Sequence, residues 1–474
     1  MRGTLFILAG IILLGIFARF YRINDLAVFL ADQASDSTVM LNMLHGKFTL
    51  LGPITSVGGF YNGPIVYYLM FPFYWVLKGN MIAGTVFQST LSVATIPLLF
   101  MLGKKMFNEK VGLVAAFLFA ISPLMVDYSR AAFNSYPAVF FSTLILYLFF
   151  SLYEKFTLFK TVLLGIFLGF IFQMHYLTIA LIIFVVTYPL LTKKRWRLRY
   201  YGGLLWGFTI GLSPFLFFEL RHGFLNTHFF LRYILSAKES IRALHYIFTI
   251  WPDVTGKLLF GYNNILGLTG LFLIGGMSFY RYRKNKKIHK ALQACAYLFV
   301  VTFAVGLLYG GIMQNHYVIV FFAPLILLCA LAICTLSKNA LIVGVCGVLL
   351  LLNMTAWNIE KPLHPLQQGL AIADFTNTAD IIHKDTKARF NVAMHTQGDN
   401  RAMPLRYALN LLSETPVTYE NYRDIDTLYF VLPQNESVES QTMWEYTSFG
   451  PSIVEKKWKV NEKYYLSRLG RVNE

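Results

Sequence analysis

The stretch Phe29-Leu-Ala-Asp-Gln-Ala-Ser-Asp36 follows the first apolar segment of the chain and is continued by Gly59-Phe-Tyr-Asn-Gly-Pro-Ile-Val-Tyr-Tyr68. It brings two carboxylates, Asp32 and Asp36, into one short loop of a chain in which only 14% of the residues are charged. The segments around this loop are long and apolar. The sequence therefore predicts a membrane scaffold that presents the loop at one surface.

Composition indicates that the scaffold is a polytopic membrane protein. The chain has 474 residues, of which 56% are hydrophobic, and its apolar runs recur more often than a soluble core could use. A helix needs about 20 apolar residues to cross a bilayer, and only helices and closed barrels satisfy their backbone groups there. The runs are long and do not alternate, so helices are predicted rather than a barrel.

The formal charge of +17 is interpreted as a sign of membrane topology. Lys and Arg lie in short loops between the apolar runs, where basic residues mark the cytoplasmic side, so no nucleic-acid partner is expected. The cysteines fall inside apolar runs and predict neither a disulfide framework nor a metal site. They are Cys295, Cys329, Cys334 and Cys346.

The apolar runs predict about eleven transmembrane helices, with the N-terminus inside and the C-terminus outside. The first, Thr4–Phe20, resembles a signal peptide, but no small-residue cleavage site follows, so it is interpreted as a membrane anchor. The predicted spans are 4–20, 81–103, 111–128, 136–153, two within 161–191, 202–218, 265–279, 291–309, 317–336 and 340–357. This arrangement predicts an integral protein of the plasma (cytoplasmic) membrane.

The first external loop, residues 21–80, is predicted to contain interfacial helices. The aromatic segment 64–77 is too short for a confident span, and its two flanks lie on the same side of the membrane. Aromatic side chains are enriched at headgroup depth, where we expect Tyr67, Tyr68, Tyr74 and Trp75.

Residues 161–191 have basic flanks at both ends, including Lys155 and Lys160 before and the stretch 193–199 after. Equal flanks require an even number of crossings, so about thirty residues must form two short helices. The apex Phe172–Tyr176 is therefore predicted to lie below the outer membrane surface, as the floor of a cavity.

The chain changes character at residue 358, where charges become frequent and alternating stretches appear. Residues 1–357 are predicted to be the membrane domain and residues 358–474 a small external α/β domain. Its predicted strands are 427–432, 445–447 and the stretch Lys-Lys-Trp-Lys-Val at 456–460.

The polar residues of the predicted outer face could form a reaction site. Ionisable groups near membrane depth are costly, so their accumulation on one face points to function. A carboxylate can take a proton from an attacking hydroxyl, while Arg and His can neutralise a departing phosphate. The residues are Asp32, Asp36, Asp127, Arg130, Asn134, Gln173, His175, Glu219, Arg221, His222 and His316.

The order of these motifs resembles the C-type (GT-C) glycosyltransferases of family 39, relatives of the protein O-mannosyltransferases and of the lipid A aminoarabinose transferase. The resemblance covers roughly residues 1–357. It rests on the acidic pair after the first helix, Tyr-Asn-Gly-Pro at 61–64, Ser-Arg-x-x-x-Asn at 129–134, Gln-x-His at 173–175 and Pro-Phe-x-x-Phe-Glu-Leu-Arg-His-Gly at 214–223. The fold that it implies is mainly α, with a GT-C-like membrane domain.

The resemblance implies transfer of a sugar from a polyprenyl-phosphate donor to an acceptor hydroxyl at the outer face, with inversion at the anomeric carbon. The acceptor would be a glycan, a lipid or a protein. By position Asp32 would be the general base, whereas Gln33 and Asn134 replace acids that are common in relatives and cannot act as bases. Donor or substrate contacts are assigned to Arg130, Arg221, His222, His175, Gln173, Asn134, Tyr61, Asn62 and Asp36; no metal ligand or other cofactor is assigned.

Structural roles are alternatives for each of these residues. Asp32 could cap a helix that starts near Ala34, Asp36 could be a supporting acid, and Arg130 could extend towards the membrane interface. Other pairs could serve local structure. Gln173 and His175 could be a helix-turn pair, Glu219 could pair with Arg221 or His222, and Tyr61 and Asn62 could shape a turn.

Two other functions compete with glycosyl transfer. A flippase or transporter of lipid-linked sugars would need a similar cavity, but two related halves with polar residues at mid-membrane are expected for that class, and the sequence shows neither. A non-catalytic binder of lipid-linked sugars is favoured by Gln33 and Asn134.

Overall fold

A computed structural model of the chain describes residues 2–55, 59–192, 198–236, 240–282, 284–309, 313–336, 338–360, 367, 369–385, 389–396 and 398–472. Part of the basic flank after the short helix pair, residues 193–197, lies outside the described residues. The described chain consists of a helical body and a small C-terminal α/β domain, as the sequence predicts.

The helical body contains seventeen α-helices and two short 3-10 segments within the described residues. In chain order they are α1 Arg2–Phe20, α2 Ile23–Leu26, α3 Ala31–Leu44, α4 Ile65–Val76, α5 Ala83–Met106, α6 Glu109–Ile121, α7 Pro123–Ser129, α8 Ala138–Glu154, α9 Leu158–Met174, η1 Tyr176–Thr178, α10 Ile179–Leu191, α11 Leu198–Arg221, α12 Leu225–Ser236, α13 Ser240–Leu259, α14 Asn264–Tyr282, α15 Lys286–Leu307, η2 Asn315–Phe321, α16 Phe322–Ile333 and α17 Asn339–Met354.

Many of these helices have the length and apolar composition of membrane spans. Five described helices are each long and apolar enough to cross a membrane. Two bent pairs, α6 with α7 and α13 with α14, raise the number to seven if each pair is one span. Every predicted span coincides with one of these or with a shorter apolar helix. The protein is thus an integral membrane protein, while the total of eleven spans and their orientation stay predictions.

Residues 158–191 form two short helices, as the parity of their basic flanks predicts. The break between α9 and α10 falls at His175, whose backbone is extended. Helix α9 packs closely against α11 through glycines, because a Cβ at Gly165 or Gly211 would lie 2.3 Å from a carbonyl oxygen of the opposite helix. The depth of the break in the membrane stays a prediction.

The C-terminal domain is a four-stranded sheet with three helices. Its elements are α18 Ile372–Asp385, β1 Phe390–Met394, α19 Met403–Leu411, β2 Thr427–Pro433, α20 Trp444–Phe449, β3 Ser452–Lys459 and β4 Tyr464–Arg471. The strand order is β1-β2-β4-β3; only β1 and β2 are parallel.

Two of the three predicted strands are confirmed, namely β2 and β3. The predicted strand at 445–447 is wrong, because these residues lie inside α20. Three residues are too few to distinguish a strand from one helical turn. Gly450, with φ of 92°, ends that turn.

The C-terminal domain shares a hydrophobic core with the segment that follows α1. Ala27, Phe29 and Ala34 are buried in the same cluster as Phe375 and Tyr407. The Tyr407 hydroxyl also donates a hydrogen bond of 2.6 Å to the carbonyl of Gly79. The domain is therefore packed directly on the loop that carries Asp32 and Asp36.

Candidate active site

Helix α3 positions the two carboxylates of the first loop. It begins at Ala31, three residues before the predicted start, and Asp32 lies in its first turn. The Gln33 side chain accepts a hydrogen bond of 3.1 Å from the Leu30 N–H and so caps the helix. The alternative of Asp32 as the helix cap is therefore wrong. A carboxylate in the first turn is also favoured by the helix dipole.

Asp36 lies one turn after Asp32 and is 9% exposed. Its carboxylate accepts a hydrogen bond of 2.6 Å from the Tyr67 hydroxyl. Burial raises the pKa of Asp36 to about 7; the Tyr67 hydrogen bond opposes the rise and the negative charge of Asp32 adds to it. Two carboxylates in different environments can take different roles, and a protonated or hydrogen-bonded Asp36 fits that of a supporting acid.

Helix α4 supports α3 through its tyrosines. Tyr67 and Tyr74 are buried, and Tyr74 shares a hydrogen bond of 2.7 Å with Ser37. Both tyrosines therefore pack inside the protein rather than on its surface, while their depth in the membrane stays a prediction. Trp75 on the same helix is 68% exposed.

A first cavity of about 80 Å³ lies between α3 and the C-terminal domain. Asp32 is an exposed residue on its wall, and Asp399 of the C-terminal domain lines it as well. The remaining walls are Phe29, Leu30, Ala31, Gln367, Leu370, Phe375, Met394, Thr396, Gly398 and Pro404. Asp399 was not found from the sequence, because 367 residues separate it from Asp32.

A second cavity of about 230 Å³ lies among α7, the end of α13 and η2. Asp127 and His316 line it, together with Lys257, which the sequence analysis missed. The Lys257 ammonium lies 2.7 Å from the carboxylate of Asp253, and the Tyr262 hydroxyl donates a hydrogen bond to Asp127. The i, i+4 spacing of Asp253 and Lys257 within an amphipathic helix was the available signal.

The two cavities lie on either side of the segment Val28–Leu30. Val28 lines the second cavity, whereas Phe29 and Leu30 line the first. The Val28 N–H donates a hydrogen bond of 2.8 Å to the carbonyl of Arg130, which fixes this segment to the end of α7. A molecule bound in one cavity is thus close to a molecule bound in the other.

The side chain of Arg130 is buried at the junction of three helices. Its guanidinium donates hydrogen bonds to the carbonyls of Trp357, at 2.7 Å, and Ala18, at 3.3 Å. These bonds satisfy carbonyls near the ends of α17 and α1. Arg130 is 2% exposed, so it does not extend to the membrane interface, and it lines neither cavity.

The Gln-x-His turn combines a structural residue with one near the second cavity. Gln173 donates to the carbonyls of Gly169 and Gly211, at 3.0 and 2.8 Å, and is buried between α9 and α11. The His175 ring lies 5.3 Å from the ring of His316, which lines the second cavity. Asn134 donates to the Met174 carbonyl at 2.9 Å and so holds the same turn.

The residues at the end of α11 line neither cavity. Glu219 is buried and accepts hydrogen bonds from Thr227 at the start of α12, through the N–H at 2.9 Å and the hydroxyl at 2.5 Å. Arg221 is exposed, and the His222 ring stacks on Phe218 at 4.2 Å. These contacts assign Glu219 a local structural role, although its partner is Thr227 rather than Arg221 or His222.

Tyr61 and Asn62 connect the first loop to the helical body. The Tyr61 carbonyl accepts hydrogen bonds from the Tyr176 hydroxyl, at 2.6 Å, and from the Asn226 side chain, at 2.9 Å. Asn62 is buried and donates to the Pro53 carbonyl at 3.3 Å. Both residues hold the conformation of the loop, and a turn role accounts for their contacts.

Across the described part of the chain, no three His, Cys, Asp or Glu residues come together as a metal site would require.

The helical body, the helix α3 that carries both acids and the α/β domain packed on it together form the architecture of the GT-C membrane glycosyltransferases, and the chain has this fold. A family model described as dolichyl-phosphate-mannose-protein mannosyltransferase matches residues 62–218. That segment includes α4 to α10 and most of α11. A comparison with curated protein sequences finds no match.

Three solved structures illustrate the similarity. ArnT from Cupriavidus metallidurans bound to undecaprenyl phosphate has a TM-score of 0.66 and 10% identity, over 99% of this chain and 98% of that one. The Archaeoglobus fulgidus oligosaccharyltransferase has a TM-score of 0.54 and 13% identity, over 90% and 67%. The arabinofuranosyltransferase AftD from Mycobacteria has a TM-score of 0.54 and 13% identity, over 100% and 40%. At these identities the likeness concerns the fold.

Proposed function

We propose that this protein is a membrane glycosyltransferase that moves a sugar from a polyprenyl-phosphate donor to an acceptor hydroxyl. The observation that carries the proposal is the placement of Asp32, an exposed carboxylate on a cavity wall, on a GT-C fold. Its neighbour Asp36 is buried whereas Asp32 is exposed to an incoming acceptor, so we assign the role of general base to Asp32.

The reaction is a direct displacement at the anomeric carbon. Asp32 takes the proton of the acceptor hydroxyl while the acceptor oxygen attacks the anomeric carbon. The bond from that carbon to the phosphate oxygen breaks, and the polyprenyl phosphate leaves with the electron pair. A single displacement inverts the anomeric configuration, and the proton on Asp32 is released to solvent.

We assign the donor phosphate to the second cavity. Lys257 provides a cation there, and His316 provides a second hydrogen-bonding group. Lys257 would exchange its contact with Asp253 for the phosphate oxygens. This cavity is lined by α7 and α13, which belong to the bent candidate spans, so a lipid can approach it from the bilayer.

Structural neighbours support a lipid-phosphate donor. The ArnT structure holds undecaprenyl phosphate, and the Archaeoglobus fulgidus oligosaccharyltransferase AglB was solved with dolichol phosphate and an inhibitory peptide, at a TM-score of 0.51 to this chain. We extend the use of such a carrier to this protein. The reaction would take place at the outer face of the plasma membrane, with a glycan, lipid or protein as acceptor.

The test is sugar transfer by purified protein in lipid nanodiscs with a panel of labelled polyprenyl-phosphate sugars. Asp32→Asn is expected to lower turnover about 10²–10⁴-fold, the usual contribution of general acid–base catalysis. The matched control is Asp25→Asn, which removes an exposed carboxylate of the same loop that pairs with Arg22. It should retain turnover.

The outcome also separates the competing functions. A flippase or a non-catalytic binder would move or hold the lipid without releasing sugar, and Asp32→Asn would leave that activity intact. Absence of turnover by the wild type with every donor, together with equal lipid binding by both proteins, would refute the catalytic proposal.

A further inference from the structure

The first cavity is built by two distant parts of the chain that are fixed to each other. Gln367, in its wall, accepts a hydrogen bond from the Phe29 N–H at 3.3 Å and donates to the Ala27 carbonyl at 3.1 Å. The Phe29 ring lies 5.7 Å from the ring of Tyr407 on α19. The C-terminal domain therefore forms a rigid wall of the cavity that contains the proposed base.

Asp399 has a defined position in that wall. Its carboxylate accepts hydrogen bonds from the N–H groups of Met403, at 2.7 Å, and Arg401, at 3.1 Å, at the start of α19. Its own N–H donates to the Thr396 hydroxyl, which also lines the cavity. The negative charge of Asp399 is thus held in place rather than carried on a mobile surface side chain.

The lining of this cavity is acidic. It contains Asp32 and Asp399 and, among the residues that the structure describes, no Lys, Arg or His. Burial raises the pKa of Asp399 to about 6, a rise that its backbone hydrogen bonds and the two nearby arginines reduce. Both arginines have other contacts: Arg401 stacks on Tyr419 at 4.7 Å, and Arg406 donates to carbonyls and to Asn391.

We propose that Asp399 determines acceptor specificity, and that the cavity accepts a neutral or amine-bearing sugar and excludes an anionic one. This inference rests on the proposed function, because it takes the cavity at Asp32 as the acceptor side. A carboxylate or phosphate entering here would meet the two carboxylates of the lining and no basic residue among the lining residues that the structure describes, whereas hydroxyl and ammonium groups would find hydrogen-bond acceptors. A volume of about 80 Å³ exceeds several times the roughly 10–15 Å³ that a water molecule needs, so a polar end group fits.

The experiment uses the full-length protein in nanodiscs and three octyl glycosides of matched shape. These are the glucoside, the 2-amino-2-deoxyglucoside and the glucuronide. Two readouts are taken for each: the change in turnover of a labelled polyprenyl-phosphate sugar, and the shift in apparent melting temperature without donor. The second readout does not depend on catalysis, so a failure of the proposed function is seen separately as absent turnover.

For the wild type we expect the half-maximal concentration of the glucuronide to be at least about tenfold that of the amino sugar. This ratio of half-maximal concentrations corresponds to about 1.4 kcal/mol. Asp399→Asn should reduce this ratio to about threefold or less. Asp399→Glu keeps a carboxylate at this position and should therefore show the same ratio as the wild type. The control Asp424→Asn removes an exposed carboxylate of the same domain and should leave the ratio as in the wild type.

Three results would overturn the inference. They are a wild-type ratio near one, an unchanged ratio in Asp399→Asn, and no effect of any glycoside in either readout. Should Asp399→Asn fail to fold because α19 loses its cap, the wild-type ratio and that of Asp399→Glu decide.

Discussion

Replacing Asp36 by Asn should make the protein more stable at alkaline pH. Burial raises the pKa of Asp36 from 3.8 to about 7, so between these values the folded state holds a proton that the unfolded chain releases. The unfolding free energy of the wild type therefore falls as the pH rises through this window. At 1.36 kcal/mol per pH unit, the loss amounts to about 4 kcal/mol.

Asparagine cannot ionise but keeps an oxygen that can accept the Tyr67 hydrogen bond. We expect Asp36→Asn and wild type to be similar near pH 4 and to diverge above it. At pH 8 the variant should have the higher apparent melting temperature, by about 5 °C for a chain of this size. The measurement is thermal unfolding in nanodiscs at half-unit pH steps from 4 to 8, at one scan rate. Asp380→Asn, an exposed carboxylate on α18, is the control.

Melting temperatures that stay parallel for the two proteins across the whole pH range would contradict a protonated Asp36 in the folded state. A second refuting result is a variant that is less stable at pH 8. Either outcome would mean that Asp36 is ionised in the folded state at low pH, and that Tyr67 stabilises a charged rather than a protonated group. Asp36 would then compete with Asp32 for the role of base.

Lys257→Gln should raise the KM for the polyprenyl-phosphate donor by roughly 10–100-fold, since a hydrogen bond to a charged group contributes about 1.5–3 kcal/mol. Steady-state kinetics check this against Lys47→Gln, an exposed lysine of the first loop; equal KM values would remove Lys257 from the donor site. Gly63→Ala should destabilise the protein by about 1–3 kcal/mol, because its Cβ would lie 2.3 Å from the Gln173 side chain. Adding Gln173→Ala should recover part of the lost melting temperature, and no recovery would contradict the proposed clash.

The membrane fold could be predicted from the sequence because its signals are local. An apolar run marks a helix by length alone, and charged flanks gave the paired short helices that meet at His175. The helix at residues 445–447 could not be predicted correctly, because one turn of helix and a short strand share the same residue types. The predicted start of α3 lies three residues too late, because the helix is capped by Gln33 rather than by a Ser, Thr or Asp.

The candidate site was predicted only in part, since polar residues on one face need not converge. Asp127 and His316 line one cavity, and Asp32 lines another. Gln173 and Arg130 instead donate their hydrogen bonds to backbone carbonyls. A single sequence does not show which polar side chains are buried in this way. Lys257 and Asp399 were missed for the opposite reason, because each reaches its cavity only through tertiary packing.

The hydrogen bond from Phe29 to Gln367 joins residues 338 positions apart. The segment before the proposed base therefore gains its contacts with the C-terminal domain only after nearly the whole chain has been synthesised and that domain has docked. A nascent or truncated chain would carry Asp32 on a helix without its covering wall, and the first cavity would be missing. Assembly of the cavity that contains the proposed base thus follows completion of the chain.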